Sequence, residues 1–202
     1  MAKDRVVWDL AISLQELLRS RVSLPDGRAV RFVVDLPGGD DDAEGERPVV
    51  YVSLYEVEEN VQGRRMEKTL AATVEEDGDL YEYYRFPPLP VHFRFVLSCI
   101  GRTREEEHLL LGQFLRIVHD HPVLQGDGLV KGDSVGPEEK IHLGVRSQWT
   151  LEAQSRFWLA LGQKFRPSVS CQLSVNVDSE RRERVVRVKE RVVEVKRNVV
   201  SS

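Results

Sequence analysis

The chain has 202 residues, 41% hydrophobic and 31% charged, with a formal net charge of −4. That length suffices for one sizeable core, and the charge balance gives no whole-protein drive toward nucleic acid or an anionic membrane. No apolar run reaches the length of a membrane span, and the start, MAKDRVVWDL, lacks the apolar core of a secretion signal. Cys99 and Cys171 are the only cysteines, too few for a disulfide scaffold. They are expected as buried free thiols in a reducing cytosol, with a disulfide between neighbouring strands as the alternative.

Val7, Leu10, Ala11, Leu14, Leu17 and Leu18 repeat at helical spacing, which predicts an amphipathic helix over Asp4–Arg19 capped by Asp4. Pro25-Asp26-Gly27 marks a turn. Arg28–Leu36 and Val49–Val57 are rich in Val, Phe and Tyr and read as strands. Between them, residues 35–46 carry six acidic and no basic side chains, a local charge of −6. Asp40, Asp41 and Asp42 lack the alternate spacing and terminal glutamate of a calcium loop, so they read as a solvated acidic tip. From Glu58 to Arg85 the pattern weakens. Thr69–Val74 reads as a short strand and Glu75–Gly78 as a turn, followed by Tyr81, Tyr83 and Tyr84. Clustered tyrosines on a long, weakly patterned stretch suit a protein interface as well as they suit packing on a sheet.

The strongest local signal lies at 86–126. On the predicted strand Val91–Cys99, Val91, Phe93, Phe95, Leu97 and Cys99 share one face, and His92, Arg94 and Ser98 the other. Gly101 permits a turn. Thr103-x-x-Glu106 has the form of a capping box, and Glu105, Glu106 and Glu107 sit at the positive end of the helix dipole. Leu111, Phe114, Leu115 and Val118 follow the i, i+3, i+4, i+7 rule and predict the buried stripe. Pro122 ends the helix by pushing His121 out of helical geometry.

Residues 123–140 contain four glycines and Pro137 and read as an irregular connection. Ile141–Trp149 holds a strand, and Thr150 caps a short helix with Leu151, Trp158 and Leu161 on one face, ending at Gly162. Val169–Val177 alternates strictly, which requires a sheet with one face on helices and the other solvated or covered by a subunit. Beyond Ser179 the character changes. Residues 180–197 hold eight basic and four acidic side chains, a local charge of +4, around paired valines. Such a segment suits an arm that adds to another subunit's sheet edge, with an edge hairpin in the same chain as the alternative.

Catalytic and ligand motifs are weak. His108 and His119 are eleven positions apart, about 16 Å along a helix, so they cannot share an ion. His119 and His121 need further ligands for zinc, and they read as helix C-terminal imidazoles. There is no Gly-x-Ser-x-Gly elbow, and Gly126-Asp127-Gly128 lacks the strand and Gly-Lys-Ser/Thr of a phosphate loop. Nothing here points to an enzyme or a cofactor. A metal-dependent enzyme using His119 and His121 stands only as a rival reading.

The runs RFPPLPVHFRFVLSCIG (85–101) and EEEHLLLGQFLRIVHDHPVL (105–124) are flanked by PVVYVSLYEVEEN (48–60) and FWLALGQKFRPSVSCQLSVNV (157–177). In order and spacing they resemble the tail-terminator (cap) proteins of contractile, phage-tail-like injection systems, over roughly residues 5–178. The matching positions are Tyr51, Leu54, Tyr55 and Asn60; Pro87, Pro88, Leu89 and Pro90; His119, His121 and Pro122; and Arg166, Pro167 and Ser168. Most of these are expected to secure the fold. The resemblance implies an α/β (α+β) fold, a mixed, largely antiparallel sheet packed by an N-terminal and a central helix. A single domain at 1–178 would then carry a charged extension at 179–202. It implies a structural role in the cytoplasm as part of a particle: a ring of this protein, six-fold in many relatives, on the distal end of the inner tube and sheath. The implied partners are other copies, the tube protein and the sheath protein, with neither nucleic acid nor membrane insertion. A non-ring adaptor is a further rival. Candidate interface residues are Tyr81, Tyr83 and Tyr84, Asp40, Asp41 and Asp42, and Arg184, Val186, Val188, Arg191, Val193 and Val195. The opposite charges of 35–46 and the C-terminal extension favour subunits meeting head to tail.

Overall fold

The computed structural model describes residues 5–38, 47–74, 80–125, 130–132, 134–135, 139–146 and 148–185. In chain order these form α1 (Val6–Arg19), β1 (Arg31–Val33), β2 (Val49–Glu59), β3 (Thr69–Val74), β4 (Leu80–Arg85), β5 (Leu89–Ile100), α2 (Arg104–Asp120), β6 (Val123–Leu124), β7 (Ile141–Val145), α3 (Leu151–Ala160), β8 (Val169–Val177) and β9 (Arg182–Arg184). The chain divides into two compact units, Met1–Arg64 with Pro88–Asp178 and Arg65–Pro87 with Ser179–Ser202.

The larger unit is built on a six-stranded sheet in the order β1-β2-β5-β8-β7-β6. Only β1 and β2 run parallel; β2–β5, β5–β8, β8–β7 and β7–β6 are antiparallel. This is the mixed, largely antiparallel sheet that the sequence implies. β5 lies near its centre because alternate residues Phe93, Phe95, Leu97 and Cys99 are all buried on one side. They pack with Val50 and Val52 of β2 and with Cys171, Leu173 and Val175 of β8. Leu10, Leu14, Leu17 and Leu18 of α1 and Leu110, Phe114, Ile117 and Val118 of α2 complete the same core. Each fully buried side chain of this size contributes about 2 kcal/mol by transfer from water, so this cluster outweighs any surface pairing in holding the unit.

Both thiols lie in that core and are unpaired. Cys171 sits opposite Phe95, whereas Cys99 is four residues further along β5, opposite Val50 of β2. The register therefore keeps the two sulfurs on different pairs, and a bond between these neighbouring strands does not form. Burial pushes each thiol pKa up to about 12.

Local details depart from the sequence expectations in instructive ways. α1 begins at Val6 with Arg5 at its N-cap and no side-chain cap, and Asp4 lies outside the described residues. β1 is shorter than Arg28–Leu36, ending well before Pro37, whose missing N–H cannot extend a ladder. At α2, Thr103 Oγ1 accepts from Glu106 N at 3.2 Å as a cap should. Glu106, however, reaches Arg102 N at 2.9 Å rather than the N–H of Thr103.

The buried face of α2 is Glu107, Leu110, Phe114, Ile117 and Val118, while Leu115 is 45% exposed. Glu107 sets this rotation. Its carboxylate is buried with Arg166, with Arg104 at 2.7 Å and with Gly101 N at 3.3 Å, and turning the helix to bury Leu115 would break those bonds. On α3, Trp158 is buried as expected but Leu151 is 69% exposed. Gly162 at φ +64° follows the last turn, as the glycine stop signal requires.

The smaller unit is a three-stranded antiparallel sheet in the order β3-β4-β9. β4 pairs with β3 from Thr69↔Arg85 to Val74↔Leu80 and with β9 from Tyr83↔Arg184 to Arg85↔Arg182. Val185 N donates to Glu82 O at 2.9 Å and continues the second ladder. The first residues of the C-terminal extension thus add a strand to the sheet of their own chain.

Candidate assembly surfaces

In the smaller unit the strand alternation puts Tyr81, Tyr83 and Arg85 of β4 on one face with Arg182 and Arg184 of β9. The Arg184 guanidinium lies 5.2 Å from the Tyr81 ring centre and that of Arg182 lies 4.8 Å from Tyr83, while the two tyrosine rings are 5.9 Å apart. Just beyond the strand, Phe86 takes Lys68 at 4.6 Å and Arg181 at 4.3 Å over its ring. Each such contact is worth about 0.5–1 kcal/mol at an exposed site. Their larger effect is to hold the guanidinium groups in fixed places against the rings. Tyr84 alternates to the other face, where Glu183 pairs with Lys68 at 2.5 Å.

Three of the sequence-derived interface candidates, Tyr81, Tyr83 and Arg184, therefore meet on one face although they are some hundred positions apart, and Tyr84 does not join them. Asp40, Asp41 and Asp42, and Val186, Val188, Arg191, Val193 and Val195, lie outside the described residues. The partners Arg182 and Arg85 are absent from the sequence-derived set. The period-two patterns Tyr81-x-Tyr83-x-Arg85 and Arg182-x-Arg184 were the signal for them.

In the larger unit, the face of the sheet turned away from α1 and α2 has two parts. One is aromatic. Trp158 Nε1 donates to Ser168 Oγ at 3.2 Å, and the rings of Trp158, Phe157, Trp149 and Tyr55 follow one another at 5.6, 5.9 and 5.0 Å between centres. Tyr55 is the extra residue of a bulge in β2, and its hydroxyl meets Ser170 Oγ at 2.9 Å; burial raises its pKa.

The other part is polar and centres on Arg94. Its side chain is only 7% exposed, and it is matched by Glu56 at 2.6 Å and by Glu58. Burial works against the charge, but the two carboxylates outweigh it and hold the Arg94 pKa above its ordinary value. Arg94 Nε also donates to Gln172 Oε1 at 3.2 Å. Beside it, His92 Nδ1 lies 2.8 Å from Ser174 Oγ and 3.1 Å from Gln172 Nε2. Burial and the neighbouring Arg94 push the His92 pKa down, which favours a neutral ring accepting from Gln172. Arg94, Gln172, His92 and Ser174, with Arg146 and His142, line an open cavity of about 630 Å³.

The histidine pair behind the rival metal reading is placed otherwise. His121 is the C-cap of α2, its ring Nδ1 2.9 Å from Ile117 O, and His119 is exposed on the last turn. Among the described residues no group of three or more His, Cys, Asp or Glu gathers as a metal site. Several positions singled out by the motif resemblance hold the fold: Asn60 caps the short 3₁₀ turn Val61–Gly63, Pro122 O accepts from Leu143 N at 2.9 Å, and Arg166 pairs with Glu107.

The sequence profile of the Pvc16 N-terminal domain matches residues 10–190. The chain belongs to the Pvc16 N-terminal domain family. Two solved structures share the fold. The sheath/tube terminator of PVC, an extracellular contractile injection system, superimposes with a TM-score of 0.64 at 17% identity, covering 96% of this chain and 65% of that one. The anti-feeding prophage cap, described as the AFP tube terminating cap, gives 0.59 at 19% identity, covering 93% and 61%. The chain thus spans just under two-thirds of the length of each. No curated protein sequence matches significantly. The family agrees with the resemblance carried by the motif order. No helix among the described residues is long and apolar enough to cross a membrane.

Proposed function

We propose that this protein is the structural terminator of a contractile injection system, a cap that ends the inner tube and its sheath. The observation that carries this reading is the family profile running through nearly the whole chain, over residues 10–190. The fold shared with two named terminators supports it. Such a role is performed by shape. Each subunit needs one surface for the preceding layer, a different one that offers no further site, and a heterologous contact to its neighbour that closes into a ring. Six copies on the distal end, touching both tube protein and sheath protein, is the arrangement we infer, with no cofactor and no catalytic step.

The Tyr81/Tyr83/Arg85/Arg182/Arg184 face supplies aromatic area and ordered cations, the residue types enriched where protein interfaces concentrate their energy. We assign it to contacts between chains, and the valine-rich residues that follow Val185 to extension of those contacts. The test is electron microscopy of tube and sheath assemblies mixed with the purified protein. A ring of density at one end only is expected. Protein bound along the sides, or left free in solution, would contradict the reading.

A further inference from the structure

The polar face of the larger unit carries a cation held by amides instead of acids. Arg146, just past the end of β7, donates from Nη1 to Gln172 Oε1 at 3.3 Å and from Nη2 to Gln148 Oε1 at 2.5 Å, and its backbone N–H donates to Ser170 O at 2.9 Å. Its position is therefore fixed while its charge is not neutralised by any described carboxylate. Arg94 in the same row differs, being matched by both Glu56 and Glu58. Gln172 Oε1 serves both arginines, so it transmits the alignment but cannot offset a second charge.

Arg146 opens onto the cavity of about 630 Å³ together with His92, His142, Gln172 and Ser174, and among the described residues no aspartate or glutamate lines it. A guanidinium with pinned orientation, flanked by imidazole and hydroxyl groups, is matched chemically by a carboxylate, which can accept two N–H bonds at once.

The chain holds its own concentrated source of carboxylates. Residues 35–46 carry six acidic and no basic side chains, and Asp40, Asp41 and Asp42 stand at the middle of the segment. This segment follows β1, the strand at one edge of the sheet, whereas the cavity lies over β5, β8 and β7 toward the opposite edge. Where the same two copies do not also make the reciprocal contact, an edge-to-far-side contact is heterologous and repeats in one sense around a ring, as the head-to-tail reading requires. We propose that this cavity is a carboxylate-binding site that receives an acidic side chain from segment 35–46 of a second copy of the chain. The inference rests on the reading that copies of this protein assemble head to tail.

Sedimentation of the full-length protein over a concentration series, in low and in moderate salt, tests it. Arg146→Glu and the triple reversal of Asp40, Asp41 and Asp42 to Lys should each weaken self-association about tenfold, the loss expected for one close ion pair across an interface. Combining them should restore association, and moderate salt should shrink every difference. Arg146→Gln, which removes charge without reversing it, should weaken association less, and unchanged thermal unfolding would establish that each variant is folded. Arg146→Glu associating like the parent protein overturns the site. If both reversals weaken association but their combination does not recover it, the acidic segment pairs elsewhere, with the basic residues of 181–197 as the next receiver, and the proposal fails. A parent protein that remains monomeric throughout overturns the head-to-tail reading itself, and this site with it.

Discussion

The carboxylate of Asp9 fills the space beside Gly132 where any other residue would carry its Cβ: a Cβ built there would lie 2.2 Å from Asp9 Cγ. Gly132 also has φ +80°, a conformation that side chains disfavour. Around this point the loop before β7 is tied to α1. Asp9 accepts from Ser134 N at 3.3 Å and from the Ser134 hydroxyl, and Ser13 Oγ donates to Asp9 O at 2.6 Å while accepting from Lys131 N at 2.8 Å. Gly132→Ala should therefore lower stability by about 2–4 kcal/mol, combining backbone strain with displacement of a buried carboxylate from its donors. Urea unfolding measures it; a loss under about 0.5 kcal/mol, the scatter of ordinary surface substitutions, would show that the loop moves away freely.

Glu107 is the second buried acid whose removal should be costly. Glu107→Ala leaves Arg166 without its carboxylate and Gly101 N without its acceptor, and should cost about 3 kcal/mol. Glu107→Gln should cost less, since it keeps the shape and an acceptor oxygen. Denaturant midpoints for the two variants give the comparison, and equal losses would argue that packing alone matters at this position.

Cys99 and Cys171, pushed up to about 12, should resist alkylation at pH 8 in the folded protein. Labelling with iodoacetamide should proceed only at the rate of opening, and reach two thiols per chain in denaturant. Rapid labelling of the native protein would contradict the burial of both residues.

Much of the larger unit was legible from residue order. β8 shows because strict alternation survives wherever one face is buried and the other is polar, and α2 because Thr103, the acidic first turn and Pro122 bracket it. The rotation of α2 was not legible: leucines at 109, 110, 111 and 115 allow more than one stripe, and the choice falls to an ion pair with Arg166, forty-six residues beyond the helix end. Leu151 misleads for a related reason, since helical spacing records which residues share a face and not whether anything covers it. The Tyr–Arg face depends on β4 meeting β9 across about a hundred residues, a long-range pairing that local pattern does not encode. Arg146 carries no sequence signal, because an isolated arginine gains meaning only from its neutral partners, Gln172 and Gln148.

His92 gives the unit a pH dependence. Its folded pKa lies below the ordinary value of about 6.5, so the unfolded chain takes up the proton first. The contribution is intact above pH 6.5 and is lost as pH falls from there through the folded value. His92→Gln should flatten the stability profile between about pH 5 and 7 relative to the parent protein. Thermal unfolding over that range measures it, and parallel profiles would mean the ring is as easily protonated folded as unfolded.

The central claim is that this protein fixes where a tube and sheath end. The most direct measurement is the length distribution of particles, by electron microscopy, from cells in which its gene alone has been deleted and then restored. The account predicts that deletion gives tubes of broad, uncontrolled length or tubes stripped of sheath, and that restoration returns a single narrow length. Particles of normal, uniform length with intact sheaths in the deletion strain would contradict it.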